Sequence, residues 1–171
     1  MKEKIKIKLK TYNNKIKGPS FRISCNGNLL DEKLCYMSSE YIKTFDIDID
    51  KGLHSLSIEH FKKSPKDTKN KFDVAISLEE LSFNGVKCSL VDLHDQFFTV
   101  SNWPYPIGKK IKNNLYFGYN GVYVYKFETP SLKYIIAQRK KYQKQITPLR
   151  TIEVTEDVFL KRLEAHLINE N

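Results

Sequence analysis

Apolar and polar residues alternate with a period of two along much of the first 130 residues, the repeat of a strand with one buried and one wet face. In KIKIKLK (4–10), Ile5, Ile7 and Leu9 fall on one face and Lys4, Lys6, Lys8 and Lys10 on the other. FDIDID (45–50) sets Phe45, Ile47 and Ile49 against Asp46, Asp48 and Asp50. The two charged rows have the same period and opposite sign, which predicts neighbouring strands with those faces aligned. LHSLSIEHF (53–61) lines up His54, Leu56, Ile58 and His60. Val74, Ile76, Leu78 and Leu81 mark a further strand whose broken alternation predicts a bulge.

Three Asn-Gly pairs, at 26–27, 84–85 and 120–121, lie between runs of this kind. Asn-Gly accepts the positive φ that a type I′ turn requires at both central residues, and the twist of that turn matches paired strands. The pattern predicts about seven to nine antiparallel strands in an all-β, jelly-roll-like sandwich. Between the strands, KKSPKDTKNK (62–71) reads as a hydrophilic surface connection, and SNWPYPIGKKIKNN (101–114) as an irregular stretch holding the single tryptophan.

After residue 130 the period changes. Ser131 reads as the N-cap of a helix, with Leu132, Ile135, Ile136 and Arg139 at helical spacing. QITPLRTIEV (145–154) reads as a linker or short extended strand. Thr155 then caps a second helix striped by Phe159, Leu160, Leu163 and Leu167. The expected organisation is a β-sandwich over 1–130 and a helical extension over 131–171, packed on the sandwich or on a partner.

Composition sharpens this picture in three ways. Hydrophobic residues make up 40% of the 171 and charged residues 29%, enough apolar material for a core. No apolar run approaches the roughly 18–20 residues of a membrane helix, and MKEKIKIKLK lacks the apolar centre of a secretory signal. The three cysteines, Cys25, Cys35 and Cys88, have no CxxC spacing, so free thiols in a chain made in a reducing cytoplasm are expected. The formal charge of +9 is unevenly placed: residues 1–20 hold seven lysines and one glutamate, and residues 133–150 hold six basic residues and no acid. Such patches are either solvated faces or meeting points for nucleic acid, an anionic surface or an acidic partner.

NNLYFGYNGVYVYKFETP (113–130) crowds six aromatic rings around the third Asn-Gly. Read as a two-residue hairpin, it places Phe117 and Tyr119 on the face of Val122 and Val124, and Tyr116 on the opposite face with Tyr123 and Tyr125. One face is core; the other is either covered or open, where flat rings stack on a sugar or a base. Tyr116, Tyr123, Tyr125 and the loop residue Trp103 are therefore the candidate glycan contacts. Lys4, Lys6, Lys8 and Lys10, with Phe159, Leu163 and Leu167, are the candidate protein contacts. His54 and His60 read as core-margin histidines, and His94 as polar surface. No phosphate loop, nucleophile elbow, HExxH or EF-hand pattern is present, which favours binding or scaffolding over catalysis.

GLHSLSIEHFKKSPKDTKNKFDVAISLEELSFNGV (52–86) resembles the core of jelly-roll carbohydrate-binding modules of the calcium-dependent xylan-binding type. The residues that carry the resemblance are His54, Leu56, Ile58, Asp67, Asp73, Ile76, Leu78, Asn84 and Gly85. The wider layout over 4–136 is similar to tailed-bacteriophage proteins with such a module. The resemblance implies a calcium ion near Asp67 and Asp73 and a sugar ligand. Against calcium stand Lys62, Lys63, Lys66, Lys69 and Lys71, whose charge repels a cation. It also implies a non-enzymatic virion protein, made in the host cytoplasm and carried on the particle. Such a protein docks on capsid or tail proteins, on further copies of itself, or on a surface glycan. A glycan-binding module proper is the alternative, and a cytoplasmic nucleic-acid-binding protein the third reading.

Overall fold

A computed structural model describes residues 1–14, 17–67, 73–102, 105–112 and 114–150, the side chains of 143–150 excepted. Its described residues form eleven strands: β1 (Lys2–Tyr12), β2 (Ser20–Cys25), β3 (Asn28–Leu34), β4 (Glu40–Asp48), β5 (Gly52–Phe61), β6 (Ala75–Phe83), β7 (Val86–Lys87), β8 (Phe97–Val100), β9 (Lys110–Lys112), β10 (Tyr116–Phe117) and β11 (Gly121–Thr129). They make an antiparallel sandwich. One sheet runs β10-β6-β1-β4 with β7 paired to β6; the other runs β3-β2-β5-β11-β8-β9.

The alternation is realised directly. Ile5, Ile7 and Leu9 are fully buried, and the lysines between them face solvent or a neighbouring charge. β1 pairs with β4 in a register that opposes Lys4 to Asp46 and Lys2 to Asp48, so the two charged rows do lie side by side. The expected bulge falls in β6: Lys8 pairs with Glu80 and Leu9 with Leu78, so that Glu79 is extruded. The rings of Phe83 with Tyr125 and Phe127, and of Phe117 with Phe98 and Tyr123, pack one sheet on the other at centroid separations of 4.5–5.9 Å. Burial of such rings is the main apolar contribution to the core.

Two of the three Asn-Gly pairs make the predicted hairpins. Asn26-Gly27 and Asn84-Gly85 have positive φ at both residues and join β2 to β3 and β6 to β7. The third does not. Tyr116–Phe117 pairs with β6 in one sheet, while Gly121 opens β11 in the other, so Asn120-Gly121 lies at a crossing between sheets. This overturns the hairpin reading and the facing of the tyrosines drawn from it.

A short helix α1 (Leu90–His94), not foreseen, starts on Ser89, whose hydroxyl accepts the amide of Asp92. Helix α2 (Ser131–Arg150) begins where predicted, but Ser131 is not its cap. The buried Glu3 of β1 is: its carboxylate accepts the backbone N–H and the hydroxyl of Ser131. A carboxylate at this end also complements the helix dipole. The backbone is helical to Arg150, so the described part of the stretch read as a linker, 145–150, continues the helix through Pro148; 151–154 and the second helix expected from Thr155 lie outside the described residues. The compact unit that carries both sheets spans Met1–Gln138 and includes the start of α2, with Ile135 buried in the core. No described helix is long and apolar enough to cross a membrane.

Candidate ligand-binding surface at the loop end

β5 ends at Phe61, and Lys62 takes a left-handed backbone (φ 60°) that turns the chain. The next residue, Lys63, is drawn inward although the segment is hydrophilic. Its side chain is only 3% exposed and its ammonium contacts Asp73 and the carbonyl of Gly118. The Asn120 amide brackets the same residue: its Oδ1 accepts the Lys63 N–H at 2.8 Å, and its Nδ2 donates to the Lys63 carbonyl at 2.7 Å and to Asn102 Oδ1 at 2.9 Å. Buried His60 donates from Nδ1 to the Tyr119 carbonyl at 2.9 Å, which ties β5 to the same loop.

Aromatic rings surround this polar knot. Tyr116 is 42% exposed. Its hydroxyl donates to Asp73 Oδ2 at 3.0 Å, and its ring meets Tyr12 edge-on at 5.4 Å. Burial, then the Asp73 charge, push its phenol well above the ordinary value. Tyr119 and Tyr105 cross edge-to-face at 5.2 Å and share a hydrogen bond, which raises the Tyr119 phenol. The Lys109 ammonium lies 3.8 Å from the Tyr105 ring centre, and that of Lys10 lies 5.4 Å from Tyr12. A methyl group at Gly118 would stand 2.9 Å from the Tyr116 ring and 3.2 Å from Asp73, so glycine there lets ring and carboxylate close up.

Of the predicted glycan contacts, Tyr116 lies on this surface. Tyr123 and Tyr125 do not: both are 1% exposed inside the sandwich, and the Tyr123 hydroxyl donates to the Leu93 carbonyl at 2.8 Å. They face inward because β10 and β11 belong to different sheets, which removes the hairpin parity that had placed them beside Tyr116. Trp103, Phe159, Leu163 and Leu167 lie outside the described residues. Tyr12, Tyr105 and Tyr119 join the surface only through tertiary contacts. Their aromatic character is visible in the sequence; their meeting is not.

The basic row is largely neutralised within its own sheet. Lys4 approaches Asp46 at 3.7 Å, Lys6 Glu80 at 3.2 Å and Lys8 Glu40 at 2.7 Å. In the Lys6 and Lys87 field, Glu80 is held below the usual carboxylate range, the hydrogen bond from Lys87 acting most strongly.

The two carboxylates that the calcium expectation singled out do not fit a metal. Asp67 Oδ2 accepts Lys17 Nζ at 2.7 Å, the Ser64 N–H at 2.6 Å and the Ser64 hydroxyl at 3.0 Å. Burial alone would raise its pKa, but the Lys17 and Ser64 hydrogen bonds outweigh it and hold the carboxyl below the ordinary range. Asp73 carries Lys63 and the Tyr116 hydroxyl. Calcium takes about six to eight oxygen ligands. Among the described residues no three His, Cys, Asp or Glu side chains gather as a metal-binding set.

No known family model matches the chain, and no curated protein matches it in sequence. Two solved structures are similar in fold. A vCBM60 module in complex with galactobiose is 10% identical, covers 71% of this chain and 96% of its own, and superposes with a TM-score of 0.48. A selenomethionine form of vCBM60, described in connection with two families of calcium-dependent carbohydrate-binding modules, is 12% identical with 72% and 89% coverage and a TM-score of 0.47.

Proposed function

We propose that this chain is a non-catalytic recognition module that holds a glycan on the Tyr12–Tyr116–Tyr119–Tyr105 surface, in the setting of a bacteriophage particle. The observation that carries the glycan reading is Tyr116. A half-exposed ring is held by Asp73 on one side and Tyr12 on the other, so it loses little freedom when a sugar's C–H face stacks on it. Asp73, whose side chain is 28% exposed, supplies a hydrogen-bonding carboxylate beside the ring. Tyr116→Ala is expected to lower glycan affinity at least about tenfold, the scale of one lost stacking contact. Its thermal unfolding should stay close to wild type, because the ring is partly exposed. Isothermal titration against a polysaccharide panel that includes xylan and galactan checks this. Equal affinity of the two proteins would remove the surface from consideration.

A second reading, docking on a neighbouring virion protein, draws on a different place. Leu34, which ends β3, and Tyr36 and Met37, on the connection from β3 to β4, are 50%, 76% and 75% exposed; β3 and β4 are edge strands of the two described sheets. An apolar run on the surface beside open strand edges favours a protein contact. This reading requires the protein in purified particles, and mass spectrometry of such particles that detects none would end it.

A further inference from the structure

We infer that the Lys63 ammonium is the built-in cation of the loop end, fixing Asp73 and the Gly118 carbonyl in the place where a divalent metal would otherwise be needed. Oxygen groups from two separate segments converge on Nζ: the Asp73 carboxylate and the Gly118 carbonyl. The Tyr119 ring face lies 6.0 Å away and adds a cation–π contact. An ammonium has three N–H donors, and these partners suit that number. A calcium ion in the same space would leave most of its six to eight oxygen positions unfilled by these groups.

The lysine is held as firmly as its ligands. Its backbone N–H and carbonyl are both bonded to the Asn120 side chain, which fixes the main chain from which the stem departs, and the ammonium contacts to Asp73 and Gly118 hold the stem itself. With 3% of the side chain exposed, the charge is buried, and buried lysines are stable only when paired. A second metal-like charge would sit a few ångströms from this ammonium and be repelled. Lys17 repeats the arrangement one loop away, with Nζ on Asp67 Oδ2 at 2.7 Å and on the Lys62 carbonyl. Two carboxylate-and-carbonyl pairs in one loop cluster are thus each closed by a lysine from the chain itself. A tethered cation cannot be chelated or diluted, so the order of this end is independent of divalent metal. That holds whether or not the surface binds a glycan.

Thermal unfolding of the full chain, in millimolar calcium chloride and in excess chelator, tests the inference. The two wild-type melting curves are expected to coincide. Lys63→Met is expected to melt about 10 °C lower, because it strands Asp73 beside a buried apolar chain. Lys63→Ala should regain part of that loss with propylammonium, the excised fragment, but not with sodium at equal ionic strength. A wild-type melting temperature that rises with calcium and falls with chelator would overturn the inference, as would Lys63→Met melting like wild type. Should neither Lys63 variant fold, the wild-type comparison still decides it: a melting temperature that moves with calcium or chelator overturns the inference, and coincident curves uphold it.

Discussion

Gly121→Ala is expected to destabilise the sandwich by about 3 kcal/mol, the upper end of what overpacking costs. Gly121 opens β11 between β5 and β8, opposite His60 and Val100. A Cβ there would stand 2.5 Å from the Thr99 carbonyl oxygen and 2.6 Å from the Phe98 ring. Neither neighbour can yield cheaply. Thr99 is backbone in β8, which is paired on both sides. Phe98 is fully buried and stacked on Phe117 at 4.9 Å. Gly27→Ala is the informative control. Gly27 has φ +81° in the β2–β3 turn, and nothing lies within 4 Å of its would-be Cβ. That change costs only its backbone strain, about 1 kcal/mol. Urea unfolding of both variants should separate them by roughly a factor of three in lost stability. Gly121 has no left-handed φ to strain, so equal losses would mean that the close strand approach is not a constraint.

The second large effect is acid lability centred on His60. Burial pulls its pKa down from the ordinary 6.5 to about 4, and the hydrogen bond from Nδ1 to the Tyr119 carbonyl only partly opposes this. The nearby Lys63 and Lys17 charges lower it further, and Asp73 raises it. Protonation would add a second N–H at Nε2, which is buried without a hydrogen-bond partner. The folded value lies below the unfolded one. Between pH 6.5 and 4 the unfolded chain therefore binds the proton and the folded chain does not. Stability contributed by neutral His60 is complete above about pH 6.5 and is lost as the pH falls towards 4. The slope approaches about 1.4 kcal/mol per pH unit, for a total of about 3 kcal/mol. Asp67 and Asp31 act in a different window: their depressed values make their contributions vanish only below the ordinary carboxylate range. Unfolding free energies of wild type and His60→Gln, measured from pH 7 to pH 4, should therefore diverge in slope across that interval. Parallel slopes would show that His60 titrates normally.

These two residues mark where reading the sequence reaches and where it stops. Ile5, Ile7 and Leu9, the Phe45 row and the Leu56 row were legible because strand faces depend only on residues two apart. The β2–β3 and β6–β7 hairpins were legible because a type I′ turn depends on two adjacent residues. Asn120-Gly121 carries the same local signal and does something else. Its preceding strand finds its partner in β6, nearly forty residues back along the chain, and that pairing overrides turn propensity. Once the hairpin is lost, Tyr123 and Tyr125 turn into the core, and Tyr116 keeps company with Tyr12 instead.

The loop after β5 shows the same limit in electrostatic form. KKSPKDTKNK is hydrophilic, and by composition a solvated connection. Hydrophilicity counts charges but does not say whom they meet. Lys63 meets Asp73 and Gly118, and Asp67 meets Lys17, contacts 10 to 55 residues apart in the chain. By itself, then, the sequence determined the all-β class, the inward rows and two of the turns, since these follow from short-range periodicity and backbone sterics. The tertiary structure alone decided which tyrosines reach the surface and which cation sits among the carboxylates, because burial and charge pairing are set by residues that only folding brings together.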